Sequence, residues 1–343
     1  MPAQNAPRPT PENIFNALRA YQNSAALKAG IELDVFTAIA DGSKEPAALA
    51  KKLGAAERGV RILCDSLTVL GFLTKLLTKE GSQYSLTEES ATFLNRHSPA
   101  YVGSMTNFMH SDALVGNFAR LAEAVKKGGT VSAAGDNEQP HDEIWVNFAR
   151  SMAPLSFPGA AFIAQLTGMP EGQPCKVLDI AAGHGMYGIT MARQNANAHV
   201  TAVDWEKVLE VAQENARAAG VAERYAVRPG SAFTADLGGG YDYVLLTNIF
   251  HHFDASTCEK LMTRVHAALK PGGKAVTLEF VPNEDRVSPA TAATFSLVML
   301  AMTDQGDAYT FSEYQAMFGN AGFKRTTLHP VPDMPQQVLV SEK

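Results

Sequence analysis

The feature that most constrains this chain is a glycine-rich turn. An apolar run at residues 177–180 leads into Gly183-His184-Gly185-Met186-Tyr187-Gly188, and the next apolar run ends on Asp204. A strand that feeds a tight Gly turn and then a helix is half of a parallel crossover unit, because only residues without Cβ atoms let the backbone turn that closely and present its N–H groups to a ligand. Further runs at 226–228, 243–246 and 275–280 alternate with helical patterns, which predicts a doubly wound α/β domain over residues 169–343. Residues 326–331 and 337–341, separated by a short Pro-containing connection, predict a terminal antiparallel hairpin on that sheet.

The turn alone admits two cofactors. Gly-x-Gly-x-x-Gly with an acid about 20 residues later is the dinucleotide fingerprint, so a nicotinamide oxidoreductase is one reading. Asp179, within the first strand and just before the turn, argues for the other. A second negative charge gains nothing beside a pyrophosphate, whereas a cofactor carrying an ammonium and a sulfonium is attracted to it. S-adenosylmethionine fits that requirement, with Asp179, Gly183 and Gly185 around its methionine end and Asp204 accepting from the ribose diol. Trp205 is placed on the adenine edge, and Ser231, Ala232 and Phe233 lie on the loop after the following strand, where adenine would sit. The alternatives are structural: Asp179 holds the N–H groups of the turn, and Asp204 caps the next helix, beginning near Glu206.

The N-terminal half has a different texture. After a Pro-rich tail over 1–11, apolar residues recur at helical spacing from Ile14 to Ala25 and again over 31–39. A short helix over 46–53 closed by Gly54, a longer one from Glu57, a hairpin of 72–77 with 83–86 around Lys79-Glu80-Gly81, and a helix start at Thr87 describe an all-α, winged-helix-like domain over 12–97. Only Arg58 and Arg61 lie near the start of its second helix, which is poor equipment for a recognition helix. Pairing with a second copy through the apolar faces of the first helices is the better use, giving a homodimer. Residues 98–168 predict helices rich in Met and Phe, among them Phe108, Met109, Phe148 and Met152, side chains suited to a core or to a pocket wall; a polar loop spans 126–140.

The segment Leu269-Lys270-Pro271-Gly272-Gly273 resembles the Leu-x-Pro-Gly-Gly of class I methyltransferases, and Asn248-Ile249-Phe250-His251-His252-Phe253-Asp254 resembles the catalytic motif of small-molecule O-methyltransferases of the plant caffeate and isoflavone type. Nearly the whole chain follows that family's order of motifs. The resemblance implies a Rossmann-like catalytic sheet with a terminal hairpin, an N-terminal dimerisation domain, and methyl transfer to a hydroxyl. It implies His251 as the base, Glu279 as the acid that orients its imidazole, and Met152 and Ser156 as contacts to substrate and cofactor. Asn248 joins the cofactor candidates, while Phe250, His252, Phe295, Met299 and Met302 join the pocket. The chemistry agrees, since a neutral His accepts a hydroxyl proton at working pH and in-line methyl transfer asks mainly for alignment. The sequence departs from the plant pattern where a second Glu faces the His: Ala308 stands there, and Asp307 is the candidate substitute.

Charge and composition exclude other classes. Lys and Arg number 29 against 35 Asp and Glu, interspersed, for a net charge of −6, so there is no basic surface for nucleic acid. No apolar run reaches the roughly 18 residues of a membrane span. The N-terminus lacks the order of a secretory signal, which predicts a cytoplasmic protein. Cys64, Cys175 and Cys258 have no ligand spacing, so the three read as reduced thiols and no metal site is expected. The expected enzyme methylates a small, aromatic or natural-product-like acceptor. The alternatives are N-, C- or S-methyl transfer, a non-methylating relative that keeps the cofactor, and a winged-helix regulator.

Overall fold

A computed structural model describes residues 9–79, 81–132 and 142–343. Residues 1–8 of the expected tail, Glu80 of the hairpin turn and most of the polar loop at 126–140 lie outside the described residues. The chain divides into two compact units, Met1–Thr106 and Asn107–Lys343.

The first unit runs α1 (Glu12–Glu32), α2 (Val35–Ala40), α3 (Pro46–Leu53), α4 (Glu57–Val69), β1 (Leu73–Thr78), β2 (Gly81–Leu86) and α5 (Glu88–Phe93). Ile31 belongs to α1 rather than opening the second helix. The break falls at Asp34, whose left-handed φ of 61° stops the helix, a conformation that Asp tolerates better than most side chains. Gly54, left-handed at φ 62°, ends α3, and Thr87 caps α5 through a reciprocal bond with Ser90. Phe36, Leu49, Leu67 and Tyr84 close a core of their own. Most of the outer face of α1 is left bare: Ile14, Phe15, Leu18 and Tyr21 are each more than half exposed.

In the second unit, short helices α6 (Thr106–Met109, which opens at the division), α7 (Asp112–Ala119), α8 (Leu121–Lys127), α9 (Asp142–Met152) and α10 (Phe157–Leu166) precede a seven-stranded sheet. Its elements are β3 (Cys175–Ile180), α11 (Met186–Gln194), β4 (Ala198–Asp204), α12 (Glu206–Ala218), β5 (Tyr225–Pro229), β6 (Tyr241–Thr247), α13 (Ala255–Ala268), β7 (Leu269–Glu279), α14 (Ala290–Met302), α15 (Phe311–Asn320), β8 (Arg325–Pro330) and β9 (Gln337–Glu342). The spatial order is β5-β4-β3-β6-β7-β9-β8, with β3 to β7 parallel and β9 antiparallel to both neighbours. Helices cover both faces, which is why these strands read as continuous apolar runs rather than alternating ones. The strand order reverses between β3 and β6, and in open α/β sheets the ligand crevice opens beyond the carboxyl ends of such a pair. The site residues of β3, β6 and β7 lie at that end. Among the described residues no helix is long and apolar enough to cross a membrane.

Candidate active site

The Gly turn joins β3 to α11. Gly183 and Gly185 take φ of 56° and 75°, and the two serve different needs. A Cβ on Gly183 would meet only a carbonyl oxygen at 4.0 Å, so its face is open to an approaching molecule. A Cβ on Gly185 would lie 2.5 Å from the Tyr225 hydroxyl, so that glycine is demanded by packing beneath the turn. Gly188 brings α11 against β4 and Asp179, where an added Cβ would stand 2.8 Å from Val200 and 2.9 Å from the carboxylate.

Both acids hold the turn, but not equally. The Gly183 amide donates to Asp204 Oδ2 at 2.8 Å and the Trp205 amide donates to Oδ1 at 2.7 Å. Each oxygen keeps a lone pair that a ribose diol can use. Burial, against the pull of these two amides, pushes the Asp204 pKa up to about 6. Asp179 is fully buried. Its Oδ2 accepts from the Gly188 amide at 3.1 Å, while its Oδ1 is buried with no hydrogen-bond partner. Burial first, then the Asp204 charge, raises its pKa to about 7 against the Gly188 bond. An orphaned carboxylate oxygen at the base of the glycine turn fits a cofactor that carries positive charge, since an unpartnered buried anion is costly until a cation or donor reaches it. His184, in the turn itself, is buried, accepts from the Met186 amide through Nδ1 and has its pKa lowered to about 4 by burial, so it stays neutral.

Beyond β6 the chain passes Asn248, held at φ 56°, whose side-chain oxygen accepts from Gln336 at 2.9 Å. A single 3-10 turn, Phe250–His252, follows. Glu279, the last residue of β7, is fully buried and uses both oxygens there: Oε1 accepts from the Phe250 amide at 2.9 Å and Oε2 lies 2.5 Å from His251 Nδ1. An ionised carboxylate can only accept, so Nδ1 is the donor to it, and in the neutral imidazole that tautomer leaves Nε2 as the acceptor.

Rings surround this pair. His252 lies beside His251 with ring centres 4.4 Å apart and planes tilted by 49°, and meets Trp145 edge-on at 5.3 Å; Trp145 and Phe108 in turn pack on Phe148. On the other side Phe295 stands edge-on to His251 at 4.9 Å and stacks on Phe280 at 3.9 Å. Burial and the neighbouring His251 hold the His252 pKa well below its ordinary value. The Trp145 indole N–H is buried with no partner.

Two sequence candidates, Phe250 and Asp307, take other places, and the rest have the neighbours given after them. Phe250 is fully buried in the core against Tyr314 and Phe318, not at the pocket, because the 3-10 turn points it away from His251. Asp307 does not turn to His251: its carboxylate accepts from Arg286 at 3.2 Å and from the Ala308 amide at 2.8 Å, and Ala308 is itself buried. The Ser156 hydroxyl donates to the Ala153 carbonyl. Met299 is buried on α14, Met302 accepts from Asn117 through its sulfur, and Met109 is half exposed. Trp205 packs with Trp145 on a small cluster of Ala149, Val208 and Val211. The Phe233 ring meets Phe253 edge-on at 5.0 Å, and the Ser231 hydroxyl accepts from the Phe233 amide. Ala232 packs against the core that includes Leu246 and Phe250. Trp145, Phe280 and Gln336 were not singled out from the sequence. Trp145 had a signal, for it precedes Phe148 and Met152 by three and seven residues, on one helical face. Among the described residues no group of His, Cys, Asp and Glu is arranged to hold a metal ion, and the three cysteines are buried and unpaired.

The chain is similar to known proteins along most of its length. An O-methyltransferase domain family matches residues 171–324, and an O-methyltransferase dimerisation domain matches residues 15–96. A solved structure from Nostoc punctiforme, assigned as an O-methyltransferase, is 49% identical, covers 98% of this chain and 100% of its own, and superposes with a TM-score of 0.92. The 8-O-methyltransferase of tetracenomycin polyketide synthesis from Streptomyces glaucescens is 28% identical over 334 residues, 94% of this chain and 95% of its own. Human N-acetylserotonin methyltransferase, solved with S-adenosylmethionine, is 21% identical, covers 99% of each chain and shares the fold with a TM-score of 0.85. With both domains in order along one chain, the protein belongs to the family of S-adenosylmethionine-dependent O-methyltransferases.

Proposed function

We propose that this enzyme methylates a hydroxyl on a small aromatic, natural-product-like acceptor, with His251 taking the hydroxyl proton through Nε2. The observation that carries the reading is the buried contact of 2.5 Å between His251 Nδ1 and Glu279. It fixes the tautomer and the pitch of the imidazole before any substrate arrives, which is what a positioned general base requires. When bound, the cofactor supplies an electrophilic methyl group on a sulfonium. Asp179, Gly183, Gly185, Asp204, Trp205, Ser231, Ala232, Phe233, Asn248 and Ser156 are the residues that would hold it. Asp179 offers its free oxygen to positive charge, and the Asp204 carboxylate accepts from hydroxyls. The rings of Phe108, Trp145, Phe148, His252 and Phe295, with Met152, Met299 and Met302, favour a flat apolar acceptor over a sugar or peptide.

The tetracenomycin and acetylserotonin enzymes support this class by their names, one given for polyketide synthesis and one for acetylserotonin. The working form in this reading is a cytoplasmic homodimer joined through residues 12–97, where the bare apolar face of α1 falls in the region matched by the dimerisation domain. The test is mass spectrometry of products from phenols, polyketides and indoles incubated with labelled S-adenosylmethionine, with amines and thiols in parallel. O-methylated phenols from the native chain, and almost none from His251→Ala, are the expected results. Full activity in His251→Ala removes the base.

A further inference from the structure

We propose that Arg286 is a positioning residue for His251, acting by clamping residues 306–310 against the backbone that carries the imidazole. The inference rests on the reading of His251 as base.

Arg286 sits on the connection between β7 and α14 with a left-handed φ of 54°, a conformation that a long side chain adopts only when its surroundings hold it there. Its guanidinium donates to Asp307 Oδ2 at 3.2 Å, to the Ala308 carbonyl at 3.5 Å and to Glu313 Oε1. Glu313 uses its other oxygen to accept from the Thr310 amide at 2.8 Å, inside the capping box of α15. One planar cation therefore ties both ends of 307–310 to the connection that follows the strand ending on Glu279.

The inner side of the same segment grips the His turn. Gly306 passes so close that a Cβ would come within 2.2 Å of the His251 carbonyl oxygen and 3.0 Å of the His252 carbonyl carbon. The Gly306 amide donates to Thr303 Oγ1 at 2.9 Å, and the Tyr309 hydroxyl donates to the Phe253 carbonyl at 2.6 Å. Glu279 fixes the imidazole from one side; the segment held by Arg286 fixes its backbone from the other. Asp307 then serves His251 as the anchor of the clamp, without touching the ring.

Ion pairs this exposed add little stability, so the clamp is read in geometry rather than in melting temperature. The experiment measures kcat and KM on phenols of graded acidity, from alkylphenols to nitrophenols, with labelled S-adenosylmethionine, for the native enzyme, His251→Ala, Arg286→Ala and Arg286→Lys. A misplaced base matters most for hydroxyls that still hold their proton. Arg286→Ala is expected to lose about tenfold in kcat on alkylphenols, shrinking toward no loss on nitrophenols, with little change in KM or cofactor affinity. Arg286→Lys is expected to fall between. A loss that is uniform across the panel, or no loss at all, overturns the clamp. If His251→Ala shows the dependence on acidity and Arg286→Ala does not, only the clamp fails. If His251→Ala shows none, or the native enzyme methylates no phenol, the base reading fails and takes the clamp with it.

Discussion

Two carboxylates are buried at the same end of the sheet, and they are partnered in opposite ways. Glu279, closing β7, has both oxygens engaged, one by the Phe250 amide and one by His251. Asp179, in β3, has one oxygen engaged and one bare. A satisfied buried acid stiffens what it touches, while a half-satisfied one carries a desolvation cost that a donor or cation can relieve. The β6–β7 side of the crevice is thus built in advance, and on the proposed function the β3–β4 side would be completed by the cofactor.

The largest expected effect lies on the built side. His251→Ala should lower kcat by about 10²–10⁴-fold, the usual worth of general base catalysis, while calorimetry finds S-adenosylmethionine affinity unchanged. An equal drop in cofactor affinity would erase the distinction between the two sides. Next, Glu279→Gln should cost about 1–3 kcal/mol in a denaturant melt, because a buried acceptor pair loses part of its bonding, and should lower kcat with it.

On the other side, Asp179→Asn should weaken S-adenosylmethionine by about tenfold, or roughly 1.4 kcal/mol. The native affinity should also depend on pH. Asp179 titrates near 7, so below that it is neutral and attracts the cofactor less, and affinity should rise with pH and level off above 7. In Asp179→Asn that rise should vanish; if it persists, another group is responsible. The smallest effect is on the cofactor-free protein. The folded-state pKa of Asp179 is raised from 3.8 to about 7, so its favourable contribution is complete below 3.8 and is lost as pH climbs through 7. Asp179→Asn escapes that loss and should melt a few degrees higher than the native chain at pH 8, the opposite sign to Glu279→Gln.

The sheet was legible because parallel strands buried on both faces must be apolar throughout, and the Gly turn because its positive φ values admit few residues. Asp179 and Asp204 were legible with it, lying in adjacent crossover units. The pairing of His251 with Glu279 came from family resemblance alone, since 28 residues separate them and periodicity carries no such contact. Phe250 was misplaced for a local reason: a 3-10 turn rotates successive side chains by a third of a circle, sending Phe250 into the core and its neighbour toward the crevice. Asp307 was misread for a distant one, because Arg286, 21 residues away, captures its carboxylate.

The placement of the indoles has a practical consequence. The chain has two tryptophans, and both pack on the same small cluster, Trp205 beside Asp204 and Trp145 against His252. The protein therefore carries a pair of built-in fluorophores on one cluster, one next to Asp204 and one against His252. Trp145→Phe should leave an emission signal that reports on the methyl donor, and Trp205→Phe one that reports on the acceptor, so the order in which the two arrive can be followed by stopped flow without any added dye.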